Sequence, residues 1–310
     1  MDSHSQRLAR IRRLALAIAA LSLLLVLVSA WIRLGAAGLG CTPWPACYGS
    51  ILEGLGPLQS TGTRLLHRVV ATLILVLGFI LAWRSRQPSV LEPHSRQAGW
   101  LLALMILLTL VGIWSSDPHR AWASFINMIG GIALVAMAWH AAAAFAPTDR
   151  SAVTPAPTLV LHLGLGLLML TVVLGALIGA RFAAVACTDY PGCGGSSSLG
   201  GFAALKPFAL VVAPLPAGDP GGVTLHTLHR WLALASVLVL GIAAWRGTKH
   251  APARRCAGFV LLLLVAQFAL GVLTVLGGFE RAVATAHSAG AALLVAAAAD
   301  LLRRLRIRPA

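Results

Sequence analysis

Histidines and cysteines carry most of the chemistry available to this chain, and their positions sort them. His67, His229 and His287 each fall near one end of a long apolar run. An ionisable side chain inside such a run is costly and marks function by default. His229 and His287 come from different runs at a common depth. Two imidazoles facing each other across a helix bundle can hold a metal or a haem iron. Small residues follow His287 (Ser288, Ala289, Gly290, Ala291, Ala292), leaving space for a flat macrocycle. Arg68 and Arg230 directly follow two of these histidines. A guanidinium there pairs with a carboxylate or snorkels to lipid phosphate. His226, one turn before His229, orients a ligand or lines a loop. His4, His94, His119 and His250 read as solvated surface residues. His140 and His162, near helix ends, read as hydrogen-bonded packing residues.

Four of the five cysteines form two pairs, Cys41 with Cys47 and Cys187 with Cys193, each separated by five residues. A loop of that length with a central proline can close into a local disulfide. Such a pair either relays electrons or staples a glycine-rich loop over the bundle. Cys256 lies at the other end of a span and reads as inert.

The elements that must position these residues are membrane helices. Of 310 residues, 58% are apolar and only 11% charged, with mean hydropathy +0.86. That leaves too little polar surface to cover a core in water. The net charge of +15 sits at the ends of apolar runs, not on one folded face, which excludes a nucleic-acid-binding domain. Eight runs reach spanning length, near 14–32, 65–83, 99–115, 122–146, 158–180, 225–245, 256–276 and 284–302. Roughly twice as many Lys and Arg residues fall on the side of the two termini as on the other, which predicts cytoplasmic termini. The paired cysteines then face the periplasm.

The two halves repeat each other. GLGCTPWPACYGS in one loop matches AVACTDYPGCGGS in another; LLHRVVATLILVLG matches TLHRWLALASVLVLG; and FINMIGGIALVA matches TAHSAGAALLVA. His67-Arg68 pairs with His229-Arg230, and Asn127 pairs with His287. The predicted fold is therefore an all-α integral membrane protein. Its eight transmembrane helices form two tandem four-helix bundles in parallel repeat, residues 1–150 and 151–310.

Together these motifs resemble the haem A synthase family of cytochrome oxidase assembly, over nearly the whole chain. The resemblance implies a protein of the bacterial cytoplasmic (inner) membrane that oxidises the C8 methyl of haem O to the formyl of haem A. It implies a haem b cofactor held by His229 and His287 in the carboxy-terminal half, with Arg230 beside it. It also implies a substrate haem held by His67 in the amino-terminal half, near Arg68 and Asn127. Haem O synthase, oxidase assembly proteins and membrane lipid are the partners it suggests. The amino-terminal half departs from the family pattern twice. Asn127 stands where a second histidine is usual, and Arg64 stands where a glutamate usually precedes the first histidine by three residues. Two other readings follow from the same residues. One is a non-catalytic haem-binding relative that carries haem or assists oxidase assembly. The other is a membrane thiol–disulfide oxidoreductase using the paired cysteines.

Overall fold

A computed structural model describes residues 3–36, 57–91, 94–114, 120–145, 158–193 and 218–306. Eight helices in it are long and apolar enough to cross a membrane. They are α1 (Ser3–Ala36), α2 (Pro57–Arg84), α3 (His94–Trp114), α4 (Ala121–Ala144), α5 (Leu159–Ala180), α6 (Pro220–Gly247), α7 (Arg254–Leu276) and α8 (Arg281–Arg306). The described residues contain no strand. Each expected span is present, and α1, α2 and α6 extend well beyond theirs. Hydropathy records where a helix meets lipid, whereas backbone hydrogen bonding carries the helix on through polar residues. The start of α6 shows the cause. Asp219 caps it, accepting a hydrogen bond from the Gly222 amide at 2.8 Å, and Pro220 occupies the first turn.

Each half has its own apolar core. In the first, Ile18 of α1, Ile74 of α2, Leu101 of α3 and Leu134 of α4 pack together. In the second, Leu161 of α5, Leu240 of α6, Val260 of α7 and Leu294 of α8 do so. The seam between the halves is made by α1 and α4 against α8, with α4 also on α5. Val135, Ala292 and Ala296 are buried there. No hydrophobic driving force holds helices together in lipid, so small residues that permit close approach matter more. The closest approach of α5 to α6 is such a place: a Cβ on Gly164 would lie 2.9 Å from Leu240 Cα.

The outward faces are apolar, as lipid requires. Leu65, Val69, Val76 and Phe79 are exposed along α2, and Leu262, Val265 and Leu276 along α7. Trp83, Trp100 and Trp245 are exposed at one end of the bundle, in an interfacial belt. At the opposite end, α5 and α7 both run into a phenylalanine with left-handed backbone, Phe182 (φ 50°) and Phe279 (φ 58°). That conformation costs a bulky residue roughly 1–2 kcal/mol. It is held because both rings are buried against Ala30, Leu34 and Ala284.

Candidate functional site

The carboxy-terminal half brings His229 and His287 toward one another. His229 lies nine residues inside α6, and His287 six inside α8. At 1.5 Å per residue those are depths of about 14 and 9 Å along the helices, deeper than the single turn expected from hydropathy. The difference is the capped polar extension of α6. Within this half α6 and α8 stand diagonally and barely meet, while α6 packs on α5 and α7, and α8 on α7.

Each ring rests on a glycine of the preceding helix. A Cβ on Gly175 of α5 would lie 3.1 Å from His229 Cε1, and one on Gly271 of α7 would lie 3.1 Å from His287 Cε1. Beside Gly175, the His229 Nδ1–H donates to the Thr171 carbonyl at 3.0 Å. A carbonyl has two lone pairs, so Thr171 can serve both its helix and this ring. The bond sets the tautomer and leaves Nε2 with its lone pair free. His287 is held differently. Gln267 Nε2 donates to the His287 carbonyl at 2.9 Å and lies 3.5 Å from the ring Nε2. The His287 Nδ1 is buried without a hydrogen-bond partner, as is Gln267 Oε1. Such orphaned atoms are rare in folded proteins and mark the place as a candidate for binding a polar or metal-bearing group.

These residues fit a haem better than a bare ion. No group of three or more His, Cys, Asp or Glu side chains suited to a metal ion occurs among the described residues. A porphyrin supplies four of the iron's ligands itself and asks the protein only for axial ones. Paired imidazoles against glycine walls meet that requirement.

Arg230, expected to meet a carboxylate or lipid phosphate, makes its contacts within the protein here. It donates to the carbonyls of Pro191 at 3.0 Å, Gly192 at 2.8 Å and Cys187 at 3.4 Å. The Tyr190 ring centroid is 5.7 Å from its guanidinium carbon. These contacts clamp the loop that the Cys187–Cys193 disulfide closes. His226 is a tether, its Nε2–H donating to the Ala183 carbonyl at 2.9 Å. Disulfide, Arg230 and His226 thus fasten the same end of α6 to the segment after α5. The other predicted pair, Cys41 and Cys47, lies outside the described residues.

In the amino-terminal half, His67 stands ten residues inside α2 and Asn127 six inside α4. Asn127 therefore occupies in α4 the position that His287 occupies in α8. Both residues are partly buried, and neither makes a hydrogen bond to a described residue. Arg64 and Arg68 are exposed.

Sequence comparison decides the family. The model of the cytochrome oxidase assembly protein family matches residues 125–299. The haem A synthase of Symbiobacterium thermophilum is 30% identical over 282 residues, covering 86% of each chain. That of Shewanella oneidensis is 24% identical over 306 residues, 88% of this chain and 90% of its own. The chain belongs to this family. The segment matched by the family model contains Asn127, His229 and His287, whereas His67 precedes it.

Several residues around the site escaped sequence reasoning. Gln267 had a signal, being a lone amide within an apolar span. Gly175 and Gly271 had none, because glycine is common in these helices. Two histidines differ from expectation. His94, read as solvated, donates from Nε2 to the Ala144 carbonyl at 3.1 Å and stacks on Phe145 with ring centroids 4.7 Å apart. His140, read as hydrogen-bonded, makes no hydrogen bond and lines a groove between helices. His162 does bond as expected, its Nδ1–H donating to the Thr158 carbonyl at 2.6 Å.

Proposed function

We propose that this membrane protein is a haem A synthase serving cytochrome oxidase assembly, and that it oxidises the C8 methyl of haem O to a formyl group. The observation that carries the reading is His229 and His287 in one four-helix half, each ring seated on a glycine and one bearing an orphaned nitrogen. A b-type haem would be held there through the two imidazoles.

Bound there, a haem would supply one-electron redox chemistry suited to passing electrons. The residues around it do the orienting. Thr171 fixes the His229 ring through Nδ1, and Gln267 braces the backbone of His287. Hydrogen bonds of this kind set the direction and basicity of an imidazole that holds iron. The loop clamped by Arg230 and the disulfide lies over the same end of α6. It would exclude water from the outer side, which we assign to the periplasm. In the amino-terminal half, His67 would hold the substrate haem by one imidazole. Asn127, a poor iron ligand, then leaves the opposite face of that iron open.

The test is co-expression with a haem O source in cells lacking their own synthase, followed by haem extraction. Haem A is expected with the wild-type chain. His67→Ala should abolish it while preserving the bis-imidazole absorbance of the purified protein, and His287→Ala should remove both. Asn127 and Arg64 favour one other reading, a haem-binding relative without catalysis. A coloured wild-type protein that never yields haem A would establish that reading instead.

A further inference from the structure

A second site lies at the end of the bundle opposite the disulfide loop. There α4, α5 and α8 leave a groove of about 530 Å³, lined by His140, Leu165, Ala299, Leu302, Arg303 and Arg306. Its upper rim is cationic. Arg306 donates to His162 Nε2, whose Nδ1–H is already committed to Thr158, so a neutral imidazole holds the guanidinium in place. Arg303 and Arg304 both pair with the buried Asp300, at 2.7 and 2.8 Å. Asp300 is the sole acid at this end among the described residues. One carboxylate is thus shared by two guanidiniums, and Arg306 has no acidic partner among the described residues. His140 lines the same groove as Arg303 and makes no hydrogen bond to a described residue.

Below that rim the wall is apolar. Leu165 on α5 and Leu302 and Ala299 on α8 continue the groove toward the membrane interior. Arg303 and Arg306 stand in the last turn of α8, and His162 in the first turn of α5, the ends at which a spanning helix meets lipid headgroups. A free anion would use only the upper half of such a groove. A molecule with a phosphate at one end and hydrocarbon at the other uses both. Basic pockets between transmembrane helices take lipid phosphates by this complementarity. The groove also runs along the seam between the halves, where α4 and α5 meet α8.

We propose that this groove is a binding site for one anionic phospholipid. Its phosphate lies against Arg306, Arg303 and His140, and an acyl chain lies along Leu165 and Leu302. This holds whatever the reaction at the haem site.

Native mass spectrometry of the full-length purified protein, titrated with phosphatidylglycerol or phosphatidylcholine, tests it. One phosphatidylglycerol should be retained in preference to phosphatidylcholine. Arg306→Gln should weaken retention about fivefold, and adding His140→Gln should weaken it further. Leu302→Trp fills the apolar wall without touching the charges and should displace the lipid as well. An unchanged thermal melting temperature in lipid-free detergent would show that each variant remains folded. Equal retention of the two lipids, or undiminished preference in both Arg306→Gln/His140→Gln and Leu302→Trp, overturns the proposal. Full displacement by inorganic phosphate would show a chainless phosphate site and overturn it equally.

Discussion

Replacing Gly175 by alanine tests the proposed haem site through a single carbon. The added Cβ would stand 3.1 Å from His229 Cε1, a few tenths of an ångström inside ordinary contact. The ring cannot simply retreat, because its Nδ1 is tied at 3.0 Å to the Thr171 carbonyl on the same helix. Either the bond stretches or α5 and α6 move apart. Overpacking a fitted site costs about 1–3 kcal/mol, and losing the hydrogen bond costs about 1 kcal/mol. A net penalty of about 2 kcal/mol weakens haem binding roughly thirtyfold. The control is Gly166→Ala on the same helix, where an added Cβ meets nothing within 4 Å. There the exchange should only improve helix propensity, by up to about 1 kcal/mol. Haem-to-protein ratio and the low-spin α band of purified protein provide the assay. Full haem content and an unshifted band in Gly175→Ala, indistinguishable from Gly166→Ala, would refute the idea that this glycine seats an axial ligand.

Other substitutions probe the framework. Gly164→Ala pushes a Cβ against the Leu240 backbone and should lower the melting temperature in detergent by an amount corresponding to about 1–3 kcal/mol. Cys187→Ser should cost about 2 kcal/mol of stability by opening a short loop, while haem absorbance persists; loss of haem A formation at normal stability would instead mark the pair as redox-active. Asp300→Asn removes the carboxylate shared by Arg303 and Arg304 and should destabilise by about 1–2 kcal/mol, the arginines being partly solvated. Asn127→His places a second imidazole at the α4 position corresponding to His287; an additional bis-imidazole spectral component is expected when substrate haem is supplied, and an unaltered spectrum would show that α2 and α4 do not share one porphyrin.

Hydropathy was sufficient to find all eight helices, because in lipid the length of an apolar run and the need to satisfy every backbone amide leave no alternative structure. It misplaced the start of α6, although Asp219-Pro220 is a capping signature that a local reading could have used. His229 and His287 were legible as a pair because ionisable residues are rare in spans. What surrounds them was less so. The Thr171 carbonyl belongs to the backbone and carries no sequence signal, and Gly175 and Gly271 resemble every other helical glycine. Arg230 was legible only as a boundary cation; the carbonyls it takes belong to a loop whose path no local rule specifies. The left-handed Phe182 and Phe279 run against residue preference altogether, since burial decides their conformation. His140 and Asp300 were unreadable for a similar reason: their roles depend on which helices meet at the seam.

The two halves share a register but differ in how they hold it, and that difference is what a resident cofactor and a transient substrate would need. In the carboxy-terminal half α5 and α6 meet at the Gly164 backbone contact, and glycines press on both imidazoles. The glycine contacts and the Thr171 bond thus hold the imidazoles in fixed orientations, the preorganisation that a permanently bound ligand needs. In the amino-terminal half His67 is flanked by exposed Leu65, Leu66 and Val69, so the surface of α2 beside it faces lipid. Gly112, in the corresponding stretch of α3, has nothing within 4 Å of an added Cβ. If the proposed substrate haem is held at His67, this exposed face offers it a lateral approach from the bilayer and its product a way back. Replacing the second histidine by Asn127 lowers the hold further. If a substrate haem is held there as proposed, Asn127 would weaken its retention, and substrate and product exchange is the step it would most directly change.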